Sequence, residues 1–222
     1  MKFMFPELSS PITFEEDKVP CLVIENATFL RRLLEDIYNQ QNGCGGFCVL
    51  SEHDTPISIA KFLDLTTSFI PFELNRKSLL NKILASMEKT AQNETFFIKT
   101  QEFLSHAETY MSDLSYEQIC ELEFDKLSVA SLLKAFGIRI YEEEQTTLLK
   151  VMNYMELVRE YDRDKLFVFV NLRDFFEEKE VELFLESALS HKFHILLIDS
   201  HEHTLHSCEN RRILDSDLCE IG

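Results

Sequence analysis

Between Lys165 and Ser200 the hydrophobic and polar positions sort into three blocks: an apolar run KLFVFVNL, an acidic stretch EEKEVELFLESALSH and a second apolar run KFHILLIDS. Continuous apolar runs, each closed by a polar residue and separated by one helical period, predict parallel strands buried on both faces with a crossover helix between them. Earlier in the chain Met1 to Phe5, Ile12 to Phe14 and Cys21 to Glu25 read as short strands, and Phe47 to Leu50 as a further short apolar segment. Asn26 is placed to cap a helix in which Leu30, Leu33, Leu34, Ile37 and Tyr38 recur with the spacing of one buried face, and Gly43 to Gly46 end it. Beyond about Ile57 the character changes. Two long helical patterns follow, Phe72 to Gln92 and Glu94 to Leu114, with Leu79, Leu80, Ile83, Leu84 and Met87 marking the inner face of the first. A short helix from Ser128 to Phe136 stops at Gly137, Ile138 to Tyr141 is strand-like, and Thr146 caps a helix that runs to about Tyr161.

These elements predict an α/β fold whose head carries a mostly parallel sheet built from residues 1–60 and 127–222, interrupted by an α-helical leg over 61–126. Parallel strands need crossovers, and the helices beginning at Asn26, Thr146 and Glu177 supply them. Sheets of this kind place sites at their carboxyl ends, here Asn171 and Asp199. Leu196-Leu197-Ile198-Asp199 resembles a Walker B strand with its terminal carboxylate. The matching phosphate loop GxxxxGK[ST] is absent: the Gly-rich stretch Asn42 to Gly46 has no Lys and no Ser or Thr to hold Mg²⁺. The architecture suggests nucleotide hydrolysis and the residues withhold it.

With 222 residues, 45% of them hydrophobic, and only five Gly and five Pro, the chain can bury a substantial core. Six Cys with no CxxC pair point to reduced thiols. The apolar start is broken at Pro6, too short for a signal sequence or a membrane span, so cytoplasmic residence with no membrane partner is expected. Lys and Arg number 22 against 39 Asp and Glu, a net charge of −17 that by itself repels polyanions. The distribution qualifies this. Leu74 to Gln92 carries Arg76, Lys77, Lys82 and Lys89 against Glu88 alone, whereas Glu102 to Asp125 carries only acids.

Glu121, Glu123 and Asp125 alternate as E-x-E-x-D, hard oxygen donors at a density that suits Ca²⁺. The segment is not an EF-hand, since Lys126 and Leu132 stand at the turn-glycine and terminal-glutamate positions; a solvated acidic turn fits the same residues. His201-Glu202-His203 with His206 and Cys208 has the donor types of a Zn²⁺ site but no second ligand group, and fits a polar loop after a strand. On an ideal helix Asn75, Lys82 and Lys89 form one polar stripe able to track a phosphate backbone, or an ordinary solvated face. Arg31-Arg32 and Arg211-Arg212 are further basic pairs. No G-x-S-x-G, H-E-x-x-H or cysteine-nucleophile motif is present; Asp199 and Glu202 could hold a metal in a degenerate NTPase or a metal-dependent nuclease.

Seven segments in order, SPI at 10–12, CLVIE at 21–25, FELN at 72–75, ELEFD at 121–125, LKAFG at 133–137, KLFVFVN at 165–171 and ILD at 213–215, resemble the Csn-two family, the adaptation proteins of type II-A CRISPR systems. The resemblance implies a P-loop-ATPase-like head without working Walker motifs, plus a helical leg. It further implies a non-enzymatic homotetrameric ring, stabilised by Ca²⁺, that encircles double-stranded DNA ends without sequence preference. Such a ring supports spacer acquisition beside the integrase pair and the effector nuclease. By the same resemblance Glu121, Glu123 and Asp125 are the expected calcium ligands, and Arg76, Lys77, Lys82 and Lys89 are the basic groups available for DNA. Gln41 to His53 matches nothing in the family pattern. A scaffold for the adaptation complex that never touches DNA is the remaining alternative.

Overall fold

In the computed structural model, which describes residues 1–142, 146–163 and 165–221, the chain divides into two compact units, Met1–Glu73 with Glu144–Gly222, and Leu74–Glu143. The first unit opens with β1 (Lys2–Met4), β2 (Ile12–Thr13), β3 (Val19–Ile24) and α1 (Ala27–Gln41). It continues through β4 (Val49–Glu52), β5 (Thr55–Ile57), α2 (Ile59–Phe62) and β6 (Leu63–Thr66). The second unit holds α3 (Lys77–Ala91), α4 (Phe97–Tyr116) and α5 (Val129–Ala135). The chain then returns to the first unit with α6 (Thr147–Tyr161), β7 (Leu166–Val170), a 3-10 turn (Leu172–Asp174) and α7 (Glu178–Ser190). It finishes with β8 (His194–Asp199), β9 (Glu209–Leu214) and β10 (Glu220–Ile221).

Six strands form the main sheet in the order β10-β9-β3-β8-β7-β6, parallel except for β10 at one edge, and β2-β1-β4-β5 form a smaller antiparallel sheet. The unbroken apolar runs are explained by alternation between two covered faces. Leu22, Ile24, Leu166, Val168, Val170, Leu196, Ile198 and Leu214 enter one core together with Phe29, Leu33 and Ile37 of α1 and Phe3 and Leu50 of the small sheet. The intervening positions turn to the opposite face, where Phe167 meets Tyr154 of α6 and Phe193, and Phe169 meets Phe184 of α7. Each such fully buried side chain contributes about 1.5–3 kcal/mol.

Helix starts follow the expected caps. Thr146 caps α6, Ser128 caps α5 through a capping box, and the Asn26 side chain accepts from Phe29 N at 2.9 Å while donating to Ser216 O at 2.8 Å. Asn26→Ala is expected to cost about 1–2 kcal/mol, read as a lower urea midpoint at unchanged m-value. The segment that follows α1 is pinned by one carboxylate. Asp36 accepts from Phe47 N at 2.8 Å, Cys48 N at 2.9 Å and Gln40 Nε2 at 2.9 Å; burial works against its charge, but these bonds outweigh that cost and hold the carboxyl below its usual range. A Cβ at Gly46 would come within 2.6 Å of Asp36 Oδ1 and closer still to Gln40 Nε2, so a larger residue there has to push aside the side chains that pin the segment.

Several expectations need correction. Leu63 to Thr66, assigned to the insertion over 61–126, is a strand of the main sheet, so the second unit begins at Leu74; at its far end it runs on to Glu143. Phe72 to Arg76 lie outside α3, and Ile138 to Tyr141 form no strand, for one shared reason. The Asn75 side chain takes the place of a strand partner, accepting from Ile140 N at 2.8 Å and donating to Ile140 O at 3.1 Å. Of the expected inner faces, Tyr38 and Met87 are exposed.

Candidate functional site

One face of the parallel sheet carries a buried charged cluster that runs from the carboxyl end of β8, at Asp199, to the amino end of β9, at Glu209. Register places Asp199 opposite Val23, so its side chain shares a sheet face with Cys21, and Glu209 opposite Val19 points the same way. Arg173, in the turn after β7, lies between them: Nε and Nη2 donate to Asp199 Oδ2 at 3.0 and 2.6 Å, and Nη1 donates to Glu209 Oε1 and Oε2 at 3.0 and 3.2 Å. The Cys21 thiol contacts Arg173 and donates to Asp199 Oδ2 at 3.4 Å. Burial pushes that thiol far above its usual range against the pull of Arg173, so Cys21 stays protonated and inert as a nucleophile. Burial also works against the Arg173 charge, but the Asp199 and Glu209 carboxylates around it outweigh that cost and hold the guanidinium above its usual range.

This cluster decides what the Walker-B-like strand can do. Arg173 and the Cys21 thiol take Asp199 Oδ2, Oδ1 is buried without a hydrogen-bond partner among the described residues, and the residue is fully buried beside the guanidinium charge. Asn171, in left-handed backbone conformation, accepts from Ser200 N at 2.8 Å and links the ends of β7 and β8. Between β3 and α1 there are only Glu25 and Asn26, where a phosphate loop would need a longer cradle. The Gly-rich segment lies past the carboxyl end of α1, the negative pole of that helix.

Of the His-Cys group after β8, the structure selects two members and adds one from elsewhere. Asp174 Oδ1 lies 3.3 Å from His201 Nε2 and 3.3 Å from His203 Nε2. Glu202 instead pairs with Arg211 at 3.2 Å, the His206 backbone binds Glu209, and Cys208 stands outside the group. Burial lowers the pKa of His203, leaving it neutral near pH 7. Sequence reasoning missed Arg173, Asp174 and Glu209. For Arg173 and Asp174 the available signal was the rule that sites gather at carboxyl strand ends, applied to β7 and β8 together; Glu209, at the amino end of β9, gave no such signal.

In the second unit, Glu121, Glu123 and Asp125 are all exposed in a stretch without regular structure, and among the described residues they do not form a compact donor cluster. Arg76 is the cap residue of α3 and Lys77 its first residue; Lys77, Lys82 and Lys89 are exposed. Lys82 and Lys89 share one stripe, with Lys77 roughly 140° away around the helix. Asn75 leaves the stripe, being tied to Ile140. Among the other basic pairs, Arg31 and Arg32 are paired with Glu35 and Glu7, and Arg211 and Arg212 with Glu202 and Glu220. No helix among the described residues is long and apolar enough to cross a membrane.

Comparison with known proteins adds three likenesses. A family model described as CRISPR-associated protein (Cas_Csn2) matches residues 38–218. A CRISPR-associated protein Csn2 from Enterococcus faecalis is 24% identical over 202 residues, covering 90% of each chain. The crystal structure of Stu0660 of Streptococcus thermophilus matches with a TM-score of 0.61 at 14% identity, covering 97% of this chain and 74% of that one, which shows a shared fold.

Proposed function

The chain belongs to the Csn2 family of CRISPR-associated proteins, and on that premise we propose that it binds double-stranded DNA ends without sequence preference, as a calcium-stabilised homotetrameric ring that supports spacer acquisition. In this reading the first unit is a P-loop-ATPase-like head that has lost its Walker motifs and performs no catalysis. The second unit is a helical leg that carries the DNA-facing Arg76, Lys77, Lys82 and Lys89 and the calcium-binding Glu121, Glu123 and Asp125. The integrase pair and the effector nuclease are its partners in the cytoplasm.

The observation that favours binding over hydrolysis is the buried Arg173–Asp199 pair, with 2.6 Å between Nη2 and Oδ2. A cation supplied by the protein neutralises this carboxylate, which is shut away from solvent, so Asp199 does not need a metal to balance its charge. Calcium fits the acidic segment on physical grounds. Three carboxylates within five residues repel one another, and a hard dication converts that repulsion into ligation. Four copies arranged in a ring would repeat the Lys82 and Lys89 stripe around a channel, concentrating positive charge that a single chain of net charge −17 does not offer.

The test is light scattering coupled to gel filtration, with Ca²⁺ and with chelator, followed by gel shifts on linear and closed circular DNA. A mass of four chains in Ca²⁺ that falls in chelator is expected, together with binding to linear DNA alone. At a hundredfold excess of Ca²⁺ over its dissociation constant, stability should rise by about 2.7 kcal/mol, and Glu123→Gln should remove most of that gain. Equal binding of linear and closed circular DNA would rule out end threading.

A further inference from the structure

We propose that Asp174, His201 and His203 form a binding site for a first-row transition-metal dication of the zinc class, at the carboxyl ends of β7 and β8 and separate from the acidic segment of the second unit. Three donors converge from two connections, Asp174 from the turn after β7 and the two histidines from the loop after β8. All three potential ligand atoms lie within 4.8 Å of one another.

The spacing is that of a coordination polyhedron. With metal–nitrogen and metal–oxygen bonds of about 2.0–2.2 Å, the edges of a tetrahedron are about 3.3–3.6 Å. Two edges already have that length, since Asp174 Oδ1 stands 3.3 Å from both imidazole Nε2 atoms. The imidazole rings are tilted at 39° with centroids 4.4 Å apart, and the remaining edge, between the two imidazoles, is no longer than 4.8 Å.

A second observation points the same way. His203 Nε2 is buried and makes no hydrogen bond despite its short approach to Asp174. Buried polar atoms are nearly always satisfied, and a nitrogen lone pair facing a carboxylate oxygen and a second imidazole has a natural partner in a metal ion. Two nitrogens and one carboxylate oxygen suit Zn²⁺, Co²⁺ or Ni²⁺ and are a poor set for Ca²⁺, which takes oxygen. Three protein ligands leave a fourth position for water. A bound ion would cross-link the ends of β7 and β8 directly over the buried Arg173 cluster, a structural role that DNA binding neither requires nor excludes.

The experiment uses the full chain, stripped of metal and titrated with Zn²⁺ by calorimetry and with Co²⁺ by visible absorption. His203→Ala, His201→Ala and Asp174→Asn are the variants, with circular dichroism checking that each is folded. One Zn²⁺ per chain is expected, together with tetrahedral Co²⁺ bands lacking thiolate charge transfer, a raised Tm, and no displacement by excess Ca²⁺. His203→Ala should abolish binding, and Asp174→Asn should weaken it at least tenfold. The proposal is overturned by an absence of stoichiometric binding, by binding that survives in the folded His201→Ala/His203→Ala double variant, or by a thiolate band placing one of the cysteines in the ligand set.

Discussion

Arg173→Ala is expected to destabilise the first unit by about 3–5 kcal/mol, the cost of leaving buried charge uncompensated. The Arg173 side chain is 4% exposed, and the carboxylates it bridges, Asp199 and Glu209, are 1% and 0% exposed. Removing the guanidinium deletes four charge-assisted hydrogen bonds to those oxygens and leaves two like charges facing each other away from water. Against a typical total stability of about 5–15 kcal/mol, such a loss is visible as a large drop in the urea midpoint. Repair distinguishes charge from shape. Arg173→Met combined with Asp199→Asn and Glu209→Gln should recover much of the loss, because neutral groups of similar volume no longer need a counterion. A loss below about 1 kcal/mol in the single variant, the range of an exposed ion pair, would show that water reaches the cluster. It would also reopen Asp199 to a metal and with it the hydrolase reading.

The legible parts of the fold are those written in local pattern. β3, β7 and β8 stand out as apolar runs because both sheet faces are covered, and α1, α5 and α6 begin at Asn26, Ser128 and Thr146 because an orphan backbone donor needs a nearby side-chain acceptor. β6 escapes a reading by pattern because Leu63-Asp64-Leu65-Thr66 is a four-residue edge strand whose partner, β7, lies far along the chain. Asn75 misleads for a related reason. Its spacing to Lys82 fits a helix, but its side chain is engaged by Ile140, and only the folded second unit brings the two together. The same limit applies at the strand ends. His201 and His203 are visible as donors, whereas Asp174 joins them only when parallel β7 and β8 align their carboxyl ends.

Charge reversal at Lys82 and Lys89 is the sharpest test of the DNA reading. Both residues are exposed on one stripe of α3, in a stretch whose only acid is Glu88. In a ring of four the pair is presented four times over, so the double variant Lys82→Glu/Lys89→Glu replaces every such attraction by repulsion. Each phosphate that is no longer neutralised removes about 0.9 from the slope of log K against log salt. Affinity for linear duplex DNA should therefore fall by more than about a hundredfold at low salt, with a distinctly shallower salt dependence in whatever binding remains. The tetramer mass and the melting temperature should be unchanged, since neither lysine is buried, which separates a disabled DNA surface from a damaged fold. Retained DNA affinity in an intact tetramer would remove this stripe from the interface. In an otherwise acidic chain that outcome leaves few basic groups to hold a duplex, and the balance would shift to a scaffold that works through protein partners alone.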